Sequence, residues 1–194
     1  MIELRVRGHV ERIIDPIGAF LARIGATPTW LTLIGLGITF TGAFLVANQV
    51  WVAGALVALG GSALDGLDGS VARAKGSASA SGALLDSVAD RLGETAMWAG
   101  LAFAVADTPR LTILCVVSLG AALLVSYVRA KAETMGGDGK GGLMGRAERV
   151  ILLTVGLLFV SILEWVLWIM AILTWLTVLQ RFMRAWRHLE ASAE

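Results

Sequence analysis

The sequence has little of what marks a soluble catalytic domain. Only 16% of its 194 residues are charged, against roughly a quarter in ordinary soluble domains. It holds one cysteine, two histidines and three prolines. A single cysteine, Cys115, excludes an internal disulfide framework. Its place inside the apolar run 111–125 reads as a small packing residue. His9 and His188 lie at the two ends of the chain, so no Cys/His zinc spacing exists. Walker loops, GxGxxG turns and solenoid repeats are absent from the sequence. A net charge of +1 gives no basis for a nucleic-acid partner. The first residues are charged (Glu3, Arg5, Arg7) and no short apolar run with a cleavage site follows, so no secretory leader is expected.

What is present is grease. The chain is 57% hydrophobic with a mean hydropathy of +0.77. A soluble chain of this size could not hide so much apolar surface, so the bilayer is the expected solvent. Val10, Ile13, Ile14, Ile17, Leu21 and Ile24 recur at helical spacing between Arg5, Arg7, Glu11 and Arg12, which predicts an amphipathic interfacial helix over 2–24. Six apolar segments follow near 28–48, 51–72, 83–106, 109–131, 147–164 and 165–187, each close to the roughly 20 residues a crossing needs. The expected fold is therefore all-α: one polytopic domain over 1–194, with an amphipathic helix before a bundle of six transmembrane helices over 28–187. With six crossings both termini share a side, and of 16 Lys and Arg all but Arg110 lie on or near it. The positive-inside rule puts that side in the cytoplasm and the protein in the cell membrane. Trp51, Trp165, Trp168 and Trp175 toward one face, and Trp30 and Trp186 toward the other, read as interface anchors or packing.

Acidic residues do not belong at this depth, yet 62–94 carries Asp65, Asp68, Asp86 and Asp90. One carboxylate in a spanning helix costs at least about 2.5 kcal/mol. Asp65 and Asp68 are three apart, and Asp86 and Asp90 four apart, so on continuous helices each pair shares a face. Two neighbouring helices can aim all of them at one point. Such a cluster needs cations, and Mg²⁺ is held by a few carboxylates plus substrate phosphate oxygens. Two such ions can clamp a phosphoryl group. Gly69, Ala72 and Gly82 leave room beside the cluster, and Arg73 can pair with a phosphate. The carboxylates alone also fit a proton or ion path, so a membrane transporter stands as an alternative of another class, and a non-catalytic lipid-binding scaffold as a third.

Asp65-Gly66-Leu67-Asp68-Gly69-Ser70-Val71-Ala72-Arg73, eight residues, Gly82, three residues, Asp86, three residues, Asp90 resembles the signature D-x2-D-G-x2-A-R-x8-G-x3-D-x3-D of the CDP-alcohol phosphotransferases. Every fixed position is filled. The resemblance implies an enzyme that joins an alcohol to a lipid phosphate and releases CMP. Asp65, Asp68, Asp86 and Asp90 would hold two divalent ions, Mg²⁺ or Mn²⁺. Gly69, Arg73 and Gly82, with Thr32 on the first span, would contact the CDP moiety. Asp90 would be the general base toward the acceptor hydroxyl. Members of the family are often homodimers, so a homodimer is expected.

The acceptor is read from three further stretches. Asp86-Ser87 with Asp90-Arg91, Ser126-Tyr127-Val128-Arg129-Ala130-Lys131-Ala132-Glu133, and Gly142-Leu143-Met144-Gly145-Arg146-Ala147-Glu148-Arg149 are similar to the inositol phosphate branch. Gly145 stands where that branch has glutamate. By this resemblance Ser126, Arg129, Arg149 and Arg181 would hold the acceptor's phosphate, a task suited to arginine's planar fork. The implied reaction moves the lipid phosphate of CDP-diacylglycerol or CDP-archaeol to myo-inositol 1-phosphate. Glycerol 3-phosphate also carries a phosphate, which leaves phosphatidylglycerophosphate synthesis as the nearest alternative.

Overall fold

The computed structural model describes residues 14–191. Residues 2–13, most of the expected amphipathic helix, lie outside the described residues. Residues 14–23 are helical (α1). Seven longer or shorter helices follow: α2 (Pro28–Ala47), α3 (Trp51–Asp65), α4 (Asp68–Lys75), α5 (Ala80–Ala104), α6 (Pro109–Thr134), α7 (Arg146–Leu158) and α8 (Leu163–Ala191), with a 3₁₀ turn at Val160–Ile162. No strand occurs among the described residues. Three segments, Pro28–Ala47, Pro109–Thr134 and Val160–Ala191, are long and apolar enough to cross a membrane.

The chain divides after Gly100 into two compact units. In the first, α2 is the central element. Thr27 caps it, its hydroxyl accepting from the Trp30 amide at 3.3 Å, and Pro28 occupies the first turn, where a missing amide hydrogen costs nothing. Small residues let the neighbours approach closely. A methyl group at Gly42 would come within 2.6 Å of the Ala58 nitrogen, and one at Gly61 within 2.6 Å of the Gly35 carbonyl. On α5, a methyl at Gly100 would meet the Ala43 carbonyl at 2.4 Å. The glycine seam between α2 and α3 delivers Asp65, the last residue of α3, to Gly35, where an added methyl would lie 3.1 Å from the Asp65 Cβ.

The expected single span over 51–72 is two helices. α3 ends at Asp65, and α4 starts at Asp68. Gly66 and Leu67 hold ψ near zero, at −9° and −16°, and the Leu67 amide bonds back to Leu64 rather than one residue earlier. This is the tightened turn that poor helix formers such as glycine permit at helix ends. Asp65 and Asp68 therefore do not share the face of one continuous helix. The turn between them performs the convergence that spacing alone was expected to give. α4 ends at Gly76, whose φ of 61° is the left-handed conformation that suits glycine.

In the second unit α6 packs along α8, and α7 packs on α8 as well. Arg110 and Glu164 form an ion pair at 2.9 Å between the starts of α6 and α8. The boundary expected between the segments 147–164 and 165–187 falls earlier, at Phe159–Ile162, and Glu164 already lies in the first turn of α8, where the helix dipole favours a carboxylate. Cys115 is buried at 1% exposure, as a packing residue should be.

Candidate metal and nucleotide site

The end of α3, the start of α4 and the second turn of α5 bring Asp65, Asp68 and Asp86 together. One carboxylate oxygen from each lies within 4.8 Å of the other two. Asp65 is only 5% exposed and ends a helix, where the last carbonyls already carry partial negative charge. Asp68 opens α4, where the dipole favours it. Three convergent oxygens, one of them deeply buried, form a donor set of the kind a hard divalent cation takes, so the residues present fit such an ion.

Asp90 lies one turn beyond Asp86 on α5 and is not part of that group of three. Its side chain is 14% exposed, and its Oδ2 faces Arg91 at 3.5 Å. Arg91 also donates to Glu94 at 3.0 Å. The guanidinium is thus shared between the final carboxylate of the motif and a second acid one turn on. Neither Arg91 nor Glu94 was picked out from the sequence as part of this arrangement.

Thr32 is buried at 2%. Its hydroxyl lies 2.7 Å from Asp68 Oδ2 and 3.1 Å from the Pro28 carbonyl. One proton serves one acceptor at a time, and the shorter, charge-assisted bond to the carboxylate is the stronger. Thr32 therefore orients one carboxylate of the cluster.

A cavity of about 530 Å³ opens beside Asp68 and Asp86, and neither Asp65 nor Asp90 lines it; its size is within the range of ligand sites. Thr32, Asp68, Gly69, Arg73, Gly82 and Asp86 all line it, so the expected nucleotide contacts share one space with two of the three clustered carboxylates. A methyl at Gly69 would reach only Arg73 at 3.5 Å, and one at Gly82 would press on the Ser79 hydroxyl at 3.2 Å. That hydroxyl accepts the Gly82 amide at 3.1 Å. Arg73 is over half exposed and pairs with Asp15 of α1 at 2.8 Å, and α1 lies against α4 so closely that a methyl at Gly18 would meet the Ser70 hydroxyl at 2.3 Å.

In the second unit the four expected acceptor residues differ in setting. Arg149 and Arg181 are buried, at 3% and 7% exposure. Arg149 donates to the Met144 carbonyl at 3.2 Å, and Arg181 to the carbonyls of Gly141 at 2.7 Å and Val125 at 3.0 Å. Both arginines thus hold backbone of the glycine-rich loop between α6 and α7. Arg129 is exposed and pairs with Glu133 at 3.0 Å, and the Ser126 hydroxyl lies 3.4 Å from the Ala122 carbonyl. Gly145 is the N-cap of α7 with φ of −73°, a backbone any residue adopts, so its difference from the inositol-branch pattern is one of side chain alone.

Residues 25–179 match the family model described as CDP-alcohol phosphatidyltransferase. The chain is 36% identical over 189 residues to an archaetidylinositol phosphate synthase of Pyrococcus horikoshii, covering 96% of this chain and 97% of that one. It is 33% identical over 193 residues to a phosphatidylinositol phosphate synthase of Mycolicibacterium smegmatis, covering 93% and 86%. The crystal structure of the Mycobacterium tuberculosis phosphatidylinositol phosphate synthase with CDP-DAG bound superposes with a TM-score of 0.83 at 32% identity, over 90% of this chain and 94% of that one. The same enzyme in complex with manganese and citrate gives 0.82 at 31% identity, over 89% and 88%.

Proposed function

Because the chain belongs to the CDP-alcohol phosphatidyltransferase family, we propose that it transfers the phosphatidyl or archaetidyl group of a CDP-activated lipid to myo-inositol 1-phosphate and releases CMP. The observation that carries the reading is the meeting of Asp65, Asp68 and Asp86 within 4.8 Å, two of them on the wall of a cavity that Gly69, Arg73 and Gly82 also line. The inositol acceptor rests on the relatives, which are named for archaetidylinositol phosphate and phosphatidylinositol phosphate synthesis.

Asp65, Asp68 and Asp86 would hold the divalent metal, Mg²⁺ or Mn²⁺, with Asp90 close by. When bound, the metal neutralises diphosphate charge and the charge that develops on CMP. Thr32 holds Asp68 in its orientation. Gly69 and Gly82 leave the nucleotide room, and Arg73 binds its phosphate. Asp90 takes the proton of the acceptor hydroxyl as its oxygen bonds to the lipid-bearing phosphorus, while the bond from that phosphorus to CMP breaks. Ser126, Arg129, Arg149 and Arg181 hold the acceptor's phosphate.

The same proposal includes six membrane crossings, both termini and the active site on the cytoplasmic side of the cell membrane, and a homodimer. The one-sided distribution of Lys and Arg in the sequence supports the orientation. The test is CMP release by the purified protein in lipid, with Mn²⁺ or Mg²⁺ and CDP-lipid, when each acceptor is offered in turn. Release with inositol 1-phosphate is expected. Release only with glycerol 3-phosphate would replace the acceptor, and no release with either would end the enzymatic reading.

A further inference from the structure

The glycine-rich loop before α7 is fastened to α8 by the Thr177 hydroxyl at its 143–144 amides, and by Arg181 and Arg184, which donate to the carbonyls of Gly141 and Lys140. Thr177 is fully buried. Its Oγ1 accepts the amide of Leu143 at 3.2 Å and that of Met144 at 2.9 Å, and it donates its own proton to the Leu173 carbonyl at 2.8 Å. The hydroxyl's donor and both of its acceptor positions are thereby used. The loop is shaped to reach it: Gly142 has a φ of 101°, and a methyl there would lie 2.3 Å from the Thr177 Cγ2. Two carbonyls of the same loop then receive arginines. Met144 takes Arg149 at 3.2 Å, and Gly141 takes Arg181 at 2.7 Å.

We propose that Thr177 is a positioning residue for the acceptor site: by holding the 143–144 amides it sets the loop carbonyls that aim Arg149 and Arg181. This rests on the reading that those arginines bind the acceptor's phosphate. A helix needs no threonine at this place, since its branched side chain disfavours helix slightly. The hydroxyl meets the amide of Leu143 and that of Met144, a buried residue, and a buried amide left without a partner is costly. Valine matches its shape and removes the hydroxyl, both as acceptor for the two amides and as donor to the Leu173 carbonyl.

The test is steady-state CMP release by Thr177→Val, Thr177→Ser and wild type, with inositol 1-phosphate and CDP-lipid varied separately. Thr177→Val should raise the acceptor KM about tenfold or more, leave the CDP-lipid KM within twofold, and be restored by serine. An unchanged acceptor KM overturns the proposal while the acceptor reading stands. So does a lowered Tm with both KM values unchanged, which marks a structural role only. If valine does not fold, Gly142→Ala displaces the loop from the same hydroxyl and should raise the acceptor KM alike; an unchanged value again overturns it. If the wild type shows no saturation with any phosphorylated acceptor, the acceptor reading itself fails and the proposal falls with it.

Discussion

Replacing Thr32 by valine keeps the shape of a side chain that is 2% exposed and deletes its hydroxyl. The Asp68 oxygen that sat 2.7 Å from that hydroxyl then faces a methyl group. A hydrogen bond to a charged group contributes about 1.5–3 kcal/mol. At 1.36 kcal/mol per tenfold, full expression of that loss in the transition state is about a 10- to 150-fold fall in kcat/KM. Because Asp68 is one of the three convergent carboxylates proposed to hold the metal, the loss should fall mainly on metal dependence: more Mn²⁺ for half-maximal CMP release at saturating CDP-lipid. Thr32→Ser should recover most of the wild-type response. A rise in the CDP-lipid KM with unchanged metal dependence would instead make Thr32 a nucleotide contact only. If Thr32→Val stays within twofold of wild type in both respects, the argument that this hydroxyl orients Asp68 is refuted.

Further outcomes are expected. Asp90→Asn should abolish nearly all turnover while CDP-lipid binding, measured directly by titration, is largely kept; turnover near wild type would remove Asp90 as the base. Chelation with EDTA should stop CMP release, and Mn²⁺ or Mg²⁺ should restore it; activity that persists in chelator contradicts a metal role for the carboxylates. Gly42→Leu should destabilise the first unit by roughly 1–3 kcal/mol or more, seen as a lower Tm in detergent, because even a methyl there comes within 2.6 Å of the Ala58 nitrogen.

The carboxylates were legible in the sequence because charge in an apolar stretch is costly, and 62–94 carries Asp65, Asp68, Asp86 and Asp90. The start of the segment near 28 has a local cause, a capping hydroxyl at Thr27 followed by a ring with no amide hydrogen at Pro28. The break at Gly66-Leu67 was not legible, because glycine inside an apolar run is ordinary in membrane helices, and only the backbone angles show that the helix stops. Contacts between distant residues were hidden for a different reason. Thr32 and Asp68 are 36 residues apart, and Thr177 and Met144 are 33 apart. No periodicity links such pairs. Arg149 and Arg181 were picked out as cations for a phosphate; their hold on loop carbonyls depends on a turn that composition alone leaves unshaped.

The most direct test is an anomalous-difference map from crystals grown with Mn²⁺ and CDP. Anomalous density between the carboxylates of Asp65, Asp68 and Asp86, with the diphosphate in the cavity beside Gly69 and Arg73, is the predicted result. Manganese bound elsewhere, or a nucleotide outside that cavity, would contradict it.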